Sequence, residues 1–202
     1  MKTLKFLCII IIVCFARTGA RAQNIENKMS NDDWNNIITL LSNEKWVDAE
    51  KLSVKFLDRY TDNDDSLAEP AILRYMNLRC VAARLSEHEY SKEKAMKKVE
   101  KFIGKTIITP PRPFYPKCIF NCLQLSENKK NLFSCSSNTD KTTIQIFETY
   151  IMADTNLTKD TSALIDKKLR IGAIIKDIKT GGEMMPRFDI TFGDAFIWDE
   201  EQ

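Results

Sequence analysis

The run Thr106–Lys117 (TIITPPRPFYPK) carries Pro110, Pro111, Pro113 and Pro116, and it divides the chain into stretches with different hydrophobic periods. Proline fixes φ and has no backbone N–H, so a helix cannot continue through such a run. Whatever precedes residue 106 and whatever follows residue 117 must build its regular structure separately. The spacing therefore predicts a stiff connection at 106–117 between two folding units.

Before it, the pattern is helical. Trp34, Ile37, Ile38 and Leu41 mark one face, and Trp46, Ala49, Leu52 or Ser53, Phe56 and Tyr60 mark a second. Ile72, Leu73, Met76, Cys80, Ala83 and Leu85 form a third stripe, with Ser66 and Glu69 at capping-box spacing and Pro70 in the first turn. Ser91 opens a fourth helix carrying Ala95, Val99, Phe102 and Ile103, and Gly104 is placed to end it. The second and fourth helices echo each other: Ala49 to Arg59 aligns with Ala95 to Lys105, placing Ala49 on Ala95 and Phe56 on Phe102.

These residues carry a resemblance. Trp46-Val-Asp-Ala49 through Phe56-Leu-Asp-Arg-Tyr60 looks like the second half of a tetratricopeptide repeat, and Tyr90 to Phe102 is a weaker copy. The family repeats at about 34 residues, whereas the copies here are offset further by the polar insert Thr61–Ser66 (TDNDDS). The resemblance implies a helical module over 23–105 that holds a protein segment in a groove.

After the prolines the period shortens. Strands are expected at Cys118–Leu125, Asn131–Ser136, Thr142–Met152, Leu169–Ile178 and Phe188–Trp198, with a short helix at Thr161–Lys168. The run Leu169-Arg-Ile-Gly-Ala-Ile-Ile-Lys-Asp-Ile178 followed by Arg187-Phe-Asp-Ile-Thr-Phe192 resembles bacterial OB-like domains. That resemblance implies an α+β chain: a four-helix repeat-like domain, then a five-stranded OB-like β-barrel over 118–202.

The N-terminus reads as an export signal. Lys2 and Lys5 precede the apolar run Phe6–Ala16, and Ala20-Arg21-Ala22 supplies a cleavage site. The run is too short to span a bilayer, so the expectation is a mature chain from Gln23, periplasmic or extracellular, with no membrane span after cleavage. Four of the 30 basic residues lie in the leader, leaving 26 against 28 acidic. Residues 118–202 hold 10 basic and 13 acidic residues. That balance argues against tracking a nucleic-acid backbone, even with Phe133, Phe147 and Tyr150 available to stack.

Catalysis finds little footing. His88, the single histidine, sits in the polar turn Ser86–Tyr90, and Cys118-x3-Cys122 has no histidine beside it for a zinc site. Asp64-Asp65 and Glu200-Glu201 read as solvated surface, and Gly181-Gly182 lacks a phosphate-loop frame. No catalytic residue, metal or cofactor is expected. Two local sites are. A hairpin centred on Asn128-Lys129 sets Cys122 opposite Cys135, so a disulfide or two buried thiols would sit there. The connection Lys179, Gly181, Gly182, Met184, Met185, Arg187 suits a ligand loop, or a loop folded onto its own sheet. The function expected is an exported, non-catalytic adaptor that recruits a protein partner in the cell envelope through its helices. The alternative is an OB-type module for an oligosaccharide or peptide.

Overall fold

The computed structural model describes residues 28–65, 67–127, 130–154 and 161–198. The proposed leader, Ser66, the turn at Asn128-Lys129 and Glu200-Glu201 lie outside the described residues.

Among the described residues, four helices precede the sheet: α1 (Asn31–Ser42), α2 (Trp46–Leu57), α3 (Ala68–Ser86) and α4 (Lys92–Val99). Ser30 and Asp33 close a capping box at the start of α1, and the Ser30 backbone N–H donated to the Asp33 carboxylate draws that carboxyl below its ordinary value. Ser91 caps α4 as its sequence suggests, by accepting the Lys94 N–H. Gly104 ends that segment with φ +84°, a left-handed angle that a side chain would strain. Leu67 is the residue that precedes the first turn of α3, and Glu69 accepts the Tyr60 hydroxyl at 2.5 Å. Ala49 and Ala95 are fully buried, and Phe56 and Phe102 are buried beside them in sequence register.

A charged hub joins these helices. The buried Glu50 carboxylate meets Arg84 at 2.8 Å and Lys98 at 2.7 Å, and it accepts the Tyr90 hydroxyl at 2.9 Å. Glu50→Ala strips that hydroxyl and two cations of their acceptor. The expected loss is about 2 kcal/mol in urea unfolding. A change below 0.5 kcal/mol would mean that Arg84 and Lys98 re-pair at no cost.

Seven strands follow among the described residues: β1 (Thr106–Ile108), β2 (Arg112–Pro113), β3 (Leu123–Leu125), β4 (Leu132–Ser137), β5 (Ile144–Met152), β6 (Lys168–Gly181) and β7 (Arg187–Trp198). They form one mixed sheet in the order β1-β6-β7-β5-β4-β3, with β2 also on β6. β5 and β7 run parallel, and the other pairs are antiparallel. From β5 the chain passes over to β6, and β7 then returns into the space between them.

This corrects the five-stranded OB-like barrel. The sheet has seven strands, a parallel pair at its centre, and edges that no continuous ladder closes. Among the described residues its two margins meet at an isolated bridge between Phe114 and Leu123 and at the Tyr115 N–H, which donates to the Leu123 carbonyl at 2.9 Å. The short helix expected at Thr161–Lys168 is reduced to a single 3-10 turn at Ser162–Leu164.

The segment 106–117 also behaves differently from a linker. α4 ends at Val99 and Gly104 closes the turn after it, before the first proline at 110, and Ile107, Ile108, Thr109, Arg112 and Phe114 are all buried. Proline suits strand edges, where one N–H is dispensable. Here β1 and β2 use the remaining amides to pair along β6. α3 packs against β1, β5 and β7, and one apolar cluster runs from Tyr75, Leu78 and Leu85 through Ile107 and Phe114 to Ile146, Phe188 and Phe192. The helical and β parts named from sequence therefore share a core.

Candidate functional site

Two features stand out where helices meet sheet. The first is a sealed polar cluster. β5 places Ile146, Glu148, Tyr150 and Met152 on its buried face, so a carboxylate occupies an apolar phase. β2 brings Arg112 against it, α3 brings Tyr75, and β4 brings Ser134 and Ser136. Glu148 is 0% exposed and Arg112 5%.

The carboxylate accepts the Tyr75 hydroxyl at 2.5 Å and the Ser136 hydroxyl at 3.0 Å, and forms an ion pair with Arg112. Arg112 also donates to Ser134 at 2.5 Å, to Ser136 at 2.8 Å, and to the Tyr75 oxygen. Burial pushes the Glu148 carboxyl upward, but the facing guanidinium and the donated hydrogen bonds outweigh it and hold the group below its ordinary value. Burial drives the Tyr75 hydroxyl up to about 12. Burial alone would lower Arg112, and the Glu148 charge overrides it, so the guanidinium stays protonated. The cluster is closed to solvent and its members satisfy one another, so it ties α3, β2, β4 and β5 together. Tyr75 is its one member that also lines the neighbouring cleft.

The second feature is a cleft of about 530 Å³ directly above Tyr75. Trp34, Ile38 and Leu41 of α1, Trp46 of α2, and Ile72 and Met76 of α3 form one wall, while Ile108, Pro110 and Pro111 form the other. Arg79 and Arg170 are the charged groups among its lining residues. Arg79 donates through Nη2 to the Ser137 carbonyl at 3.0 Å. Ile38 remains 48% exposed at the cleft. The Trp46 indole N–H is held by Glu87 at 2.9 Å, which fixes the ring on its wall. An apolar cleft with a few polar groups at its margin has the general form of a binding site.

The residues singled out from sequence are scattered. Lys179, Gly181, Gly182, Met184, Met185 and Arg187 make the turn end of the β6–β7 hairpin, and none of them lines the cleft, whose residue on β6, Arg170, pairs with Trp198 at the other end. Gly182 has φ +68°, and a Cβ there would strike the Met185 carbonyl. Met184 is 89% and Met185 62% exposed, so neither folds back onto the sheet. Lys179 pairs with Asp177 at 2.9 Å, and Arg187 pairs with Asp189 at 3.1 Å while covering the Phe147 ring. Tyr150 belongs to the core, stacked on Phe192, while Phe133 and Phe147 are half-buried neighbours. His88 lies in the turn after α3 with φ +61°.

At the cysteines, the hairpin register is the one the sequence suggests, with Leu123 opposite Ser134 and Leu125 opposite Leu132. The bond is not. Cys122 is paired with Cys118, with their Cα atoms 6.3 Å apart, and Cys135 is a buried free thiol. The reason is local: Asn121 takes φ +57°, and this bend ends β3 at Leu123 and folds Cys118 back toward Cys122.

Sequence reasoning missed Glu148, Arg112 and the Pro110-Pro111 wall. The signal for Glu148 was available, since it interrupts the alternation Ile144, Ile146, Tyr150, Met152. Among the described residues no three His, Cys, Asp or Glu side chains gather as a metal site, and no helix is long and apolar enough to cross a membrane. No family model, no curated protein and no solved structure matches the chain.

Proposed function

We propose that this chain is an exported, non-catalytic binding protein that takes an apolar segment of an envelope protein into the cleft between α1, α3 and Pro110-Pro111. The observation carrying this reading is the lining of that cleft. Nine apolar residues face the space, two of them tryptophans, and its charged members are both arginines. An extended segment with large apolar side chains and an acidic neighbour complements those walls. Tryptophan and arginine also contribute disproportionately to protein–protein binding energy.

The reading keeps the helical adaptor in modified form, because Ile108, Pro110, Pro111 and Arg170 of the β part complete the wall. The polar cluster most like catalytic machinery, Arg112 with Glu148, is sealed, which supports binding over turnover.

The test uses the full chain to select from a displayed library of random peptides. Trp34 and Trp46 line the cleft, so their emission reports occupancy by each selected peptide. Ile38→Glu is expected to weaken binding at least tenfold and leave Tm within about 2 °C, because the side chain is half exposed. Selected peptides whose affinity ignores Ile38→Glu, or a library that yields none, would remove the cleft reading.

A further inference from the structure

Three cysteines meet at one corner of the sheet, and the bond among them has two possible homes. The ladder pairs Leu123 with Ser134, Gln124 with Phe133 and Leu125 with Leu132. Cys122 immediately precedes this ladder and Cys135 follows Ser134 in β4, so the two cysteines flank the last opposed pair, Leu123 and Ser134. The Asn121 N–H donates to the Cys135 carbonyl at 2.8 Å, one residue off the ladder's register, and holds the backbone beside Cys122 against β4. Opposed antiparallel residues such as Leu123 and Ser134 have Cα atoms about 4.5–5.5 Å apart, so the cysteines that adjoin this pair come near the span of a disulfide. Cys122 is therefore flanked by Cys118, its present partner, and by Cys135, a free thiol on the adjoining strand.

Their exposures differ in a useful way. Cys122 and Cys135 are each 5% exposed, while Cys118 is half-buried in a loop whose next residue, Ile119, is 73% exposed. Cys80 is far from this corner, packed with Trp46, Ala49 and Ala83, and takes no part.

We propose that these three residues form a thiol–disulfide exchange site, in which the bond moves between Cys118–Cys122 and Cys122–Cys135. The Cys135 thiol loses its proton to solvent, and the thiolate attacks the Cys122 sulfur. The Cys122–Cys135 bond forms as the Cys118–Cys122 bond breaks. The electron pair of the broken bond leaves on the Cys118 sulfur, which takes a proton from water. One disulfide and one thiol exist before and after, so no oxidant or reductant is consumed.

The exchange turns a closed loop with a buried thiol into a pinned hairpin with an accessible one. It also touches the cleft wall through the backbone. Asn121 in the loop clamps Ser137 by two hydrogen bonds of 3.0 Å, and the Ser137 carbonyl accepts Arg79.

The barrier is set by Cys135. Burial, reinforced by the Glu148 charge, pushes its thiol up to about 11. The thiolate is scarce at neutral pH, and its share grows about tenfold per pH unit until that value is approached.

The experiment takes the full chain purified without reductant and holds it at pH 7, 8 and 9. Samples are quenched in acid, alkylated and mapped without reduction. The expected course is loss of alkylated Cys135 and gain of alkylated Cys118, together with a Cys122–Cys135 peptide. The rate should be independent of protein concentration and rise about tenfold per pH unit. Cys135 remaining the only one of the three labelled throughout at pH 9 would overturn the proposal, as would a rate proportional to concentration. Cys118→Ser gives an independent arm. That variant, folded by circular dichroism and exposed to oxidised glutathione, is expected to carry the Cys122–Cys135 bond, and free thiols at both positions refute the reach.

Discussion

Glu148→Ala is expected to cost about 3–5 kcal/mol in urea unfolding at pH 7, a large share of the stability of a chain this size. The loss comes less from the missing attraction than from what is left behind. Arg112 is 5% exposed, and without Glu148 it keeps only hydroxyl partners inside the core. The comparison that isolates this cause is the double replacement Arg112→Met with Glu148→Leu. It strands no charge, and it should lose far less than the single change, because apolar pairs of similar volume often match buried ion pairs. Acid provides a second readout. The Glu148 carboxyl is held below its unfolded value, so its contribution is complete above about pH 4.3 and fades as pH falls through the lower folded value. Wild type should lose stability across that acidic window, and the double variant should lose less there. A single variant within 1 kcal/mol of wild type would contradict the buried pair.

The reason Glu148 escaped sequence reading shows where that reading stops. Helices were legible because their signals are local. Ser91 caps α4 and Gly104 terminates the segment after it, each recognisable within a few residues. The third stripe, however, named only part of the buried surface of α3. Tyr75, Leu78, Val81 and Ala82 are buried as well, because α3 has α2 on one side and the sheet on the other. A helix with two packed faces has no single stripe to find. The β strands were located to within a few residues, except that β1 and β2 were hidden by the prolines around them. Strand order was not legible at all. Alternation in β5 and β7 reports which face is buried, and nothing in it records that the two run side by side and parallel. The cleft inherits that gap, since its second wall is Ile108, Pro110 and Pro111, held in place by pairing to β6.

Separating the chain at the prolines should therefore destroy both parts. Expressed alone, 23–105 and 115–202 are each expected to show no cooperative unfolding transition, whereas the full chain melts in one step. The helical fragment would expose the sheet-facing side of α3, where Tyr75, Leu78, Val81 and Leu85 are at most 1% exposed in the whole protein. The β fragment would lose β1, β2 and that covering helix. Ile146, Tyr150, Ile171, Ile175, Phe188 and Phe192, all fully buried, then face water, and at about 1.5–3 kcal/mol for each large apolar side chain the exposed surface outweighs any plausible net stability. The same cut takes both Arg112 and Tyr75 from Glu148, which leaves a carboxylate among apolar neighbours. Moving the cut to the Phe114–Tyr115 bond and mixing 23–114 with 115–202 is the informative complement. It returns β1, β2 and Arg112 to the helical piece, so a cooperative transition regained on mixing would show that the shared core drives folding. A fragment 115–202 that melts cooperatively by itself would instead show that the sheet closes its own core, and that α3 only docks onto it.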